Sequence, residues 1–455
     1  SVFMNPIDFL LKPKSIALIG ASSSEEKLGG VILKNLLNFK GKVYPVNPNH
    51  PELMGLKAYP SFKDIPDAID LVIVMRPAAE VPAILKEIGR NAKCVIISSS
   101  GFAEVGDIGI QNSVKKIGSE MGLRILGPNC MGVYNPYHRL DTFFLPYKRL
   151  RRPKRGNVAV VSQSGAILSC IMSSLKQSNT GISKAIGYGN AIDIDESDLY
   201  EYLASDNQTE VVISYIESIA DGRRFINSAK NLSEKKPFIL LKSGKGLSGQ
   251  IAAFSHTGRL AGRYEVFNSI MRQFGIKEAV DFDELIDAAK AISFQGKFVN
   301  IMKKEKKAKR VLIITNGGGS GVLAADECMR KGLDVVNLPD DKRERLRRIF
   351  PHFYGINNPL DLTAQVKDMD YITAINYLKD DYDGFLLIAL PNVAGITEGL
   401  TGLIKSIRSD INKPIVFHIP QNGVAKKIIS ALERIKIPVY ASPERAVRAL
   451  KALLD

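Results

Sequence analysis

Among the side chains that could act as nucleophile or general base, the histidines are the easiest to compare, because the 455-residue chain has only five. His50 precedes Pro51, His138 follows Asn135-Pro136-Tyr137, His352 follows Pro351, and His418 ends an apolar, strand-like run. For each of these four a structural role is the simpler reading. His256 differs. It stands in Ser255-His256-Thr257-Gly258, with Gly262 close behind, so small and flexible residues leave room for a side chain that must move or meet a large substrate. An imidazole is substantially neutral at cellular pH and can present one ring nitrogen to phosphorus. A carboxylate on the other nitrogen would fix the tautomer and stabilise the positive charge that develops as a phosphohistidine forms. Glu217, directly after the apolar run Val211 to Ile216, is the candidate for that carboxylate. Read from the sequence alone, Glu217 serves equally well as the cap of the next helix.

The elements that must position such residues repeat three times. Ser15-Ile16-Ala17-Leu18-Ile19 runs into Gly20-Ala21-Ser22-Ser23-Ser24, Asn157-Val158-Ala159-Val160-Val161 into Ser162-Gln163-Ser164-Gly165-Ala166, and Arg310-Val311-Leu312-Ile313-Ile314 into Thr315-Asn316-Gly317-Gly318-Gly319-Ser320-Gly321. Each is a β-branched run, a turn of small residues and a helical pattern. Further apolar runs alternate with helical stretches, for example Val43 to Val46, Leu71 to Met75 and Val95 to Ser98. This alternation predicts an α/β chain of three doubly wound domains with mostly parallel sheets, over residues 1–150, 151–300 and 301–455. Ligands of such sheets sit at the carboxyl ends of the strands, where these turns lie. Small residues there let the backbone approach a ligand, and the unpartnered first amides of the following helix, with its dipole, favour phosphate. Ser162, Gln163, Ser164 and Gly165 form one such helix start, and Gly318, Gly319 and Ser320 another.

Composition narrows the function. The net charge of +15 is concentrated in residues 147–156, with six basic residues, and 303–310, with six against the single acid Glu305. Those two stretches account for eleven of the fifteen charges. Both sit between strongly periodic regions and read as solvated linkers, and no aromatic interleaving accompanies them, so nucleic acid is not an expected partner. The longest apolar runs fall far short of the roughly 20 residues that cross a bilayer, so no membrane association is expected. Cys94, Cys130, Cys170 and Cys328 have no metal-ligand or CxxC spacing, which predicts no metal site and reduced thiols in the cytoplasm. Cys130 reads as a buried, inert thiol. A nicotinamide dinucleotide site would show GxGxxG after the first strand and an acid ending the second, but Gly20-Ala21-Ser22 and Asn47-Pro48-Asn49 stand there instead.

Taken in order, Gly20-Ala21-Ser22, Lys27, Asn47-Pro48, Gly101-Phe102 and Gly127-Pro128-Asn129-Cys130 resemble the CoA-binding domain of the succinyl-CoA synthetase superfamily. The resemblance implies that Gly20, Ala21, Ser22 and Lys27 contact the phosphorylated nucleotide portion of CoA, and that Arg76, Pro77 and Asn129 line its pantetheine arm. Ser255-His256-Thr257-Gly258 resembles the superfamily's active-site histidine motif, Glu217 the glutamate that contacts it, and Ser162 to Ala166 the helix start that holds the phosphate. Gly187-Tyr188-Gly189-Asn190 stands where the family has a glycine loop near the site, and Lys242-Ser243-Gly244-Lys245 belongs to the same pattern. Asn316 to Gly321 resembles the second phosphate-holding helix start, accompanied by Asn358-Pro359-Leu360-Asp361-Leu362-Thr363.

With the domains in this order, the whole chain resembles the α subunit of archaeal-type ADP-forming acyl-CoA (acetyl-CoA) synthetases. A Rossmann-like CoA-binding domain followed by two flavodoxin-like domains is the fold implied. The implied reaction turns acyl-CoA, phosphate and ADP into free acid, CoA and ATP through an acyl phosphate and a phosphohistidine at His256. Nothing in the sequence resembles an ATP-grasp domain, so Mg2+ and ADP or ATP are expected on a separate β subunit, in an α2β2 assembly. The alternative is a non-catalytic CoA-sensing or regulatory subunit that keeps the fold without the chemistry.

Overall fold

A computed structural model describes residues 5–257, 264–301 and 307–455, and for His256 and Thr257 the backbone alone. The chain divides into two compact units, Ser1–Ala279 and Val280–Asp455. The first begins with helix α1 (Pro6–Leu11) and a sheet whose strands are β1 (Ser15–Ile19), β2 (Lys42–Val46), β5 (Ile69–Val74), β6 (Ala92–Ile97) and β7 (Arg124–Leu126). A short hairpin, β3 (Glu52–Leu53) with β4 (Leu56–Lys57), follows β2. The order across the sheet is β2-β1-β5-β6-β7, parallel throughout, with Ile16 beside both Val43 and Leu71. Helices α2 (Leu28–Leu36), α3 (Val81–Ile88) and α4 (Ile108–Met121) connect these strands. Covered on both faces, β1 is buried at every position, which is why its sequence reads as a continuous apolar run.

The second sheet of this unit has the order β14-β13-β12-β10-β11-β8-β9. Its strands are β8 (Gly132–Asn135), β9 (Leu140–Asp141), β10 (Arg155–Ser162), β11 (Ile182–Gly187), β12 (Val211–Ile216), β13 (Phe238–Lys242) and β14 (Lys277–Glu278). The helices are α5 (Gly165–Gln177), α6 (Glu196–Ala204), α7 (Gly222–Ser233), α8 (Leu247–Thr257) and α9 (Tyr264–Phe274). The expected domain edge at residue 150 is not where the sheets divide. β8 and β9 already belong to the second sheet, added antiparallel at its edge through β11. Strands of four and two residues are too short to carry a readable period. Nor is the first basic stretch wholly solvated, because Arg152 is buried and its guanidinium meets Asp141 at 3.0 Å. Burial still raises the Asp141 carboxyl above its usual pKa, although Arg152 pulls the other way.

The second unit is one parallel sheet, β16-β15-β17-β18-β19. It comprises β15 (Val311–Thr315), β16 (Leu360–Asp361), β17 (Gly384–Ile388), β18 (Ile415–His418) and β19 (Val439–Tyr440). Around it lie α10 (Phe282–Gln295), α11 (Gly318–Arg330), α12 (Asp340–Ile349), α13 (Asp368–Leu378), α14 (Gly399–Ile407), α15 (Ala425–Arg434) and α16 (Pro443–Leu454). Helix α10 falls in this unit, although the sequence reading grouped residues 280–300 with the preceding domain. Buried polar residues hold it there. Asp287 accepts from Nε and one Nη of Arg445 at 2.8 Å each, Lys290 pairs with Glu433 and donates to the Val439 carbonyl at 2.8 Å, and Gln295 bonds both the amide and the carbonyl of Ile415. Of the second basic stretch, residues 303–306 lie outside the described residues.

Candidate active site

Two cavities open at the strand ends of the first unit. The first, about 460 Å³, gathers Gly20, Ala21, Ser22 and Lys27 after β1 with Asn47 and Pro48 after β2 and Arg76 after β5. Gly20 has φ +94°, and a Cβ on it would stand 2.2 Å from the Met75 carbonyl, so only glycine turns here. Asn47 Nδ2 donates to the Ala21 carbonyl at 2.9 Å, which ties the two loops together. Arg76 is not a free cation, because Glu80 takes its Nε and an Nη at 2.8 Å each. Its backbone amide donates to Ser99 Oγ at 3.1 Å. Lys27, the N-cap residue of α2, brings a second cation to this space. Asn49, His50, Phe62 and Ile84 also line this space and were missed. The first two adjoin Asn47-Pro48 and were within reach of the same loop argument; the others come from segments that only folding brings near.

The second cavity, about 350 Å³, joins the first sheet to the second. Among the described residues Asn129 and Ser98 reach it from the first sheet, and Gln163, Ser164, Gly165 and Glu217 from the second. Ser164 is the N-cap of α5, and its Oγ accepts the Ile167 amide at 3.3 Å. Ser162 does not line the cavity. It is fully buried, and its Oγ donates to the Ser164 carbonyl at 2.7 Å, shaping the turn. Gln163 bridges to the neighbouring strand end. Its Oε1 accepts the amides of Glu217 (2.9 Å) and Ser218 (3.0 Å), and its Nε2 donates to Ser218 Oγ at 3.1 Å.

Glu217 is therefore held by its backbone on the rim of β12, with Tyr215 Oη donating to its carboxylate at 3.2 Å. The Lys242 ammonium donates to the Glu217 carbonyl at 2.7 Å. Burial lowers the pKa of that ammonium, against the pull of nearby Glu217 and Glu278. The cap of α7 is Asp221, whose side chain accepts the Arg224 amide. His256 is the penultimate residue of α8, and its side chain, with Gly258 and Gly262, lies outside the described residues.

A polar chain crosses between the sheets beside this cavity. Asn129, at φ +55°, donates from Nδ2 to Asn190 Oδ1 at 3.3 Å, and Asn190 Nδ2 donates to Glu104 at 2.7 Å and to Gln111 at 2.9 Å. The other Glu104 oxygen accepts the amides of Gly101 and Phe102. Burial works against ionising Glu104, but Asn190 and these amides outweigh it and hold the carboxyl below its usual range. Gly189 has φ +61°, and a Cβ there would come within 2.3 Å of the Asn129 carbonyl. The Phe102 ring is fully buried in the core, so only its backbone faces this network, and Pro77 precedes a short 3-10 turn. Cys130 lines the cavity with its thiol pushed up to about 12 by burial.

In the second unit Gly317 caps α11, and Gly318, Gly319 and Ser320 form its first turn. The construction repeats that of α5. Thr315 Oγ1 donates to the Gly317 carbonyl at 2.9 Å as Ser162 does to Ser164, and Asn316 exchanges two bonds with Leu390 as Gln163 does with the end of β12. Asp361, in the loop expected to accompany this start, places Oδ2 3.0 Å from where a Gly318 Cβ would be.

Three family models match successive stretches: a CoA binding domain over residues 14–136, a succinyl-CoA ligase like flavodoxin domain over 155–294, and a ligase-CoA domain over 311–451. The α subunit of the ADP-forming acetate–CoA ligase II of Pyrococcus furiosus is 38% identical over 99% of this chain and 97% of its own. The chain belongs to the ADP-forming acetate–CoA ligase family. It is a chain of an acid–thiol ligase with a CoA-binding domain and two succinyl-CoA ligase-like domains. An ADP-forming acetate–CoA ligase of Methanocaldococcus jannaschii is 37% identical, and this chain spans 63% of that longer protein. Among solved structures, acetyl-CoA synthetase 1 of Ca. Korarchaeum cryptofilum, determined with phosphate and ADP, superposes with a TM-score of 0.89 at 33% identity. The match covers 99% of this chain and 96% of that one. Among the described residues no helix is long and apolar enough to cross a membrane.

Proposed function

We propose that this chain is the α subunit of an ADP-forming acyl-CoA synthetase and carries the phosphoryl group on His256. The observation that carries the reading is the second cavity, where the capped start of α5 and the Glu217 carboxylate meet Asn129 of the CoA-binding sheet. Phosphate held by the α5 amides attacks the thioester carbonyl of acyl-CoA; the carbon–sulfur bond breaks and the thiolate leaves to take a proton. A ring nitrogen of His256 then attacks phosphorus, and the phosphorus–oxygen bond breaks to release the carboxylate. Glu217 stabilises the imidazolium character that grows in that step. Gly318, Gly319 and Ser320 supply the second set of helix-start amides, and an ATP-grasp β subunit, in an α2β2 assembly, presents Mg2+ and ADP to the phosphohistidine. Gly20, Ala21, Ser22, Lys27, Asn47 and Pro48 hold the nucleotide end of CoA, and Asn129 the pantetheine end.

The test is covalent labelling. Acetyl-CoA with radioactive phosphate labels the chain in an acid-labile, base-stable form, and His256→Ala abolishes the label. Equal labelling of that variant would falsify the reading.

A further inference from the structure

The second cavity is lined by two kinds of group, the polar Gln163, Ser164 and Glu217 and the apolar Phe144 and Leu145. An acyl thioester likewise joins a reacting carbonyl to an apolar tail. With phosphate and carbonyl at the start of α5, Phe144 and Leu145 offer the tail apolar surface in the same cavity. Among the described lining residues there is no lysine, arginine or histidine to hold a second carboxylate, and Glu217 would repel one. The volume, about 350 Å³, exceeds what a two-carbon acyl group fills.

Phe144 and Leu145 lie between β9 and β10, outside both sheets, and yet their backbone is pinned. Asn35 Nδ2 donates to the carbonyls of Phe143 (2.9 Å) and Leu145 (3.1 Å), and the buried Arg152 donates to the Leu145 carbonyl at 2.8 Å. Both side chains are half-buried. A wall fixed in this way discriminates by volume, because a pinned backbone cannot retreat from an oversized tail.

We propose that Phe144 and Leu145 are the specificity-determining residues for the acid, bounding the space available to the tail of a monocarboxylic substrate. The inference rests on the reading of the α5 start as the phosphate site. It is tested on the full chain assembled with its ATP-binding partner, by thioester formation from CoA, ATP and either acetate, isovalerate or phenylacetate. Phe144→Ala should raise the kcat/KM ratio of phenylacetate over acetate by about tenfold or more, and Leu145→Phe should lower it by a similar factor. The KM for CoA should stay within about twofold in both, since pocket volume alone has changed. Phe144→Leu, a gentler change to the core, should move the ratio in the same direction by less. Ratios that stay level or move the other way in folded variants overturn the proposal. So does a rise in the KM for CoA with the acid ratios unchanged, which would assign the wall to the pantetheine arm. If the unaltered assembly forms no thioester from any acid, the ligase reading itself fails, and the inference with it.

Discussion

Glu217 owes its position to bonds made by its neighbours and its own backbone, and that separates two kinds of mutation. Glu217→Gln keeps the backbone bonds to Gln163 and Lys242 and removes only the charge. Phosphorylation of the chain should slow at least tenfold, about 1.4 kcal/mol, with the melting temperature little changed; an unchanged single-turnover rate would return Glu217 to a structural role. Gln163→Leu does the opposite. It leaves two buried amides without their acceptor, at about 1–3 kcal/mol each, so the expected result is a marked loss in denaturant midpoint together with lost activity. The sequence made Glu217 legible as an acid at a strand end. It left imidazole partner and helix cap level; the structure gives the cap of α7 to Asp221. Arg76 was legible as a residue following a buried strand, but its pairing with Glu80 was not.

At the level of elements, the three strand–turn–helix units were plain, because β1, β15 and the last five residues of β10 are buried at every position and read as short runs rich in apolar and β-branched residues. The start of α5 was equally plain as a turn of small residues ahead of a helical pattern, and the structure makes Ser164 its cap. Ser164→Ala should cost about 1 kcal/mol of stability and raise the KM for phosphate; a variant with unaltered phosphate KM would separate the helix start from the anion. The edge strands β8 and β9 and the affiliation of α10 were hidden for a common reason. Their partners are distant in the chain, as with Asp287 and Arg445 or Gln295 and Ile415, and no local period reports such pairing.

At the scale of the whole molecule the chain is two compact bodies, and their stabilities should respond to different chemistry. His418, at the end of β18 in the second, is buried, and its ring bonds the Tyr440 carbonyl at 3.0 Å. Burial lowers its pKa below the ordinary 6.5, with the Tyr440 carbonyl and Glu444 only partly opposing. The unfolded chain therefore takes up a proton near that ordinary value and the folded chain does so only at lower pH, so stability falls as pH drops below about 6.5. His418→Asn should flatten this dependence when unfolding of the second body is followed by denaturant titration, while CoA affinity, set in the first body, stays as it was. A parallel slope in parent and variant would show that His418 contributes none of it.

The polar chain from Asn129 through Asn190 to Glu104 leaves the loops of the two sheets in the first body no independent existence. On the proposed function, CoA and phosphate would share its walls as bookends of one shelf. Thermodynamic reciprocity then demands that whatever factor CoA imposes on the affinity for phosphate, phosphate returns in full on the affinity for CoA.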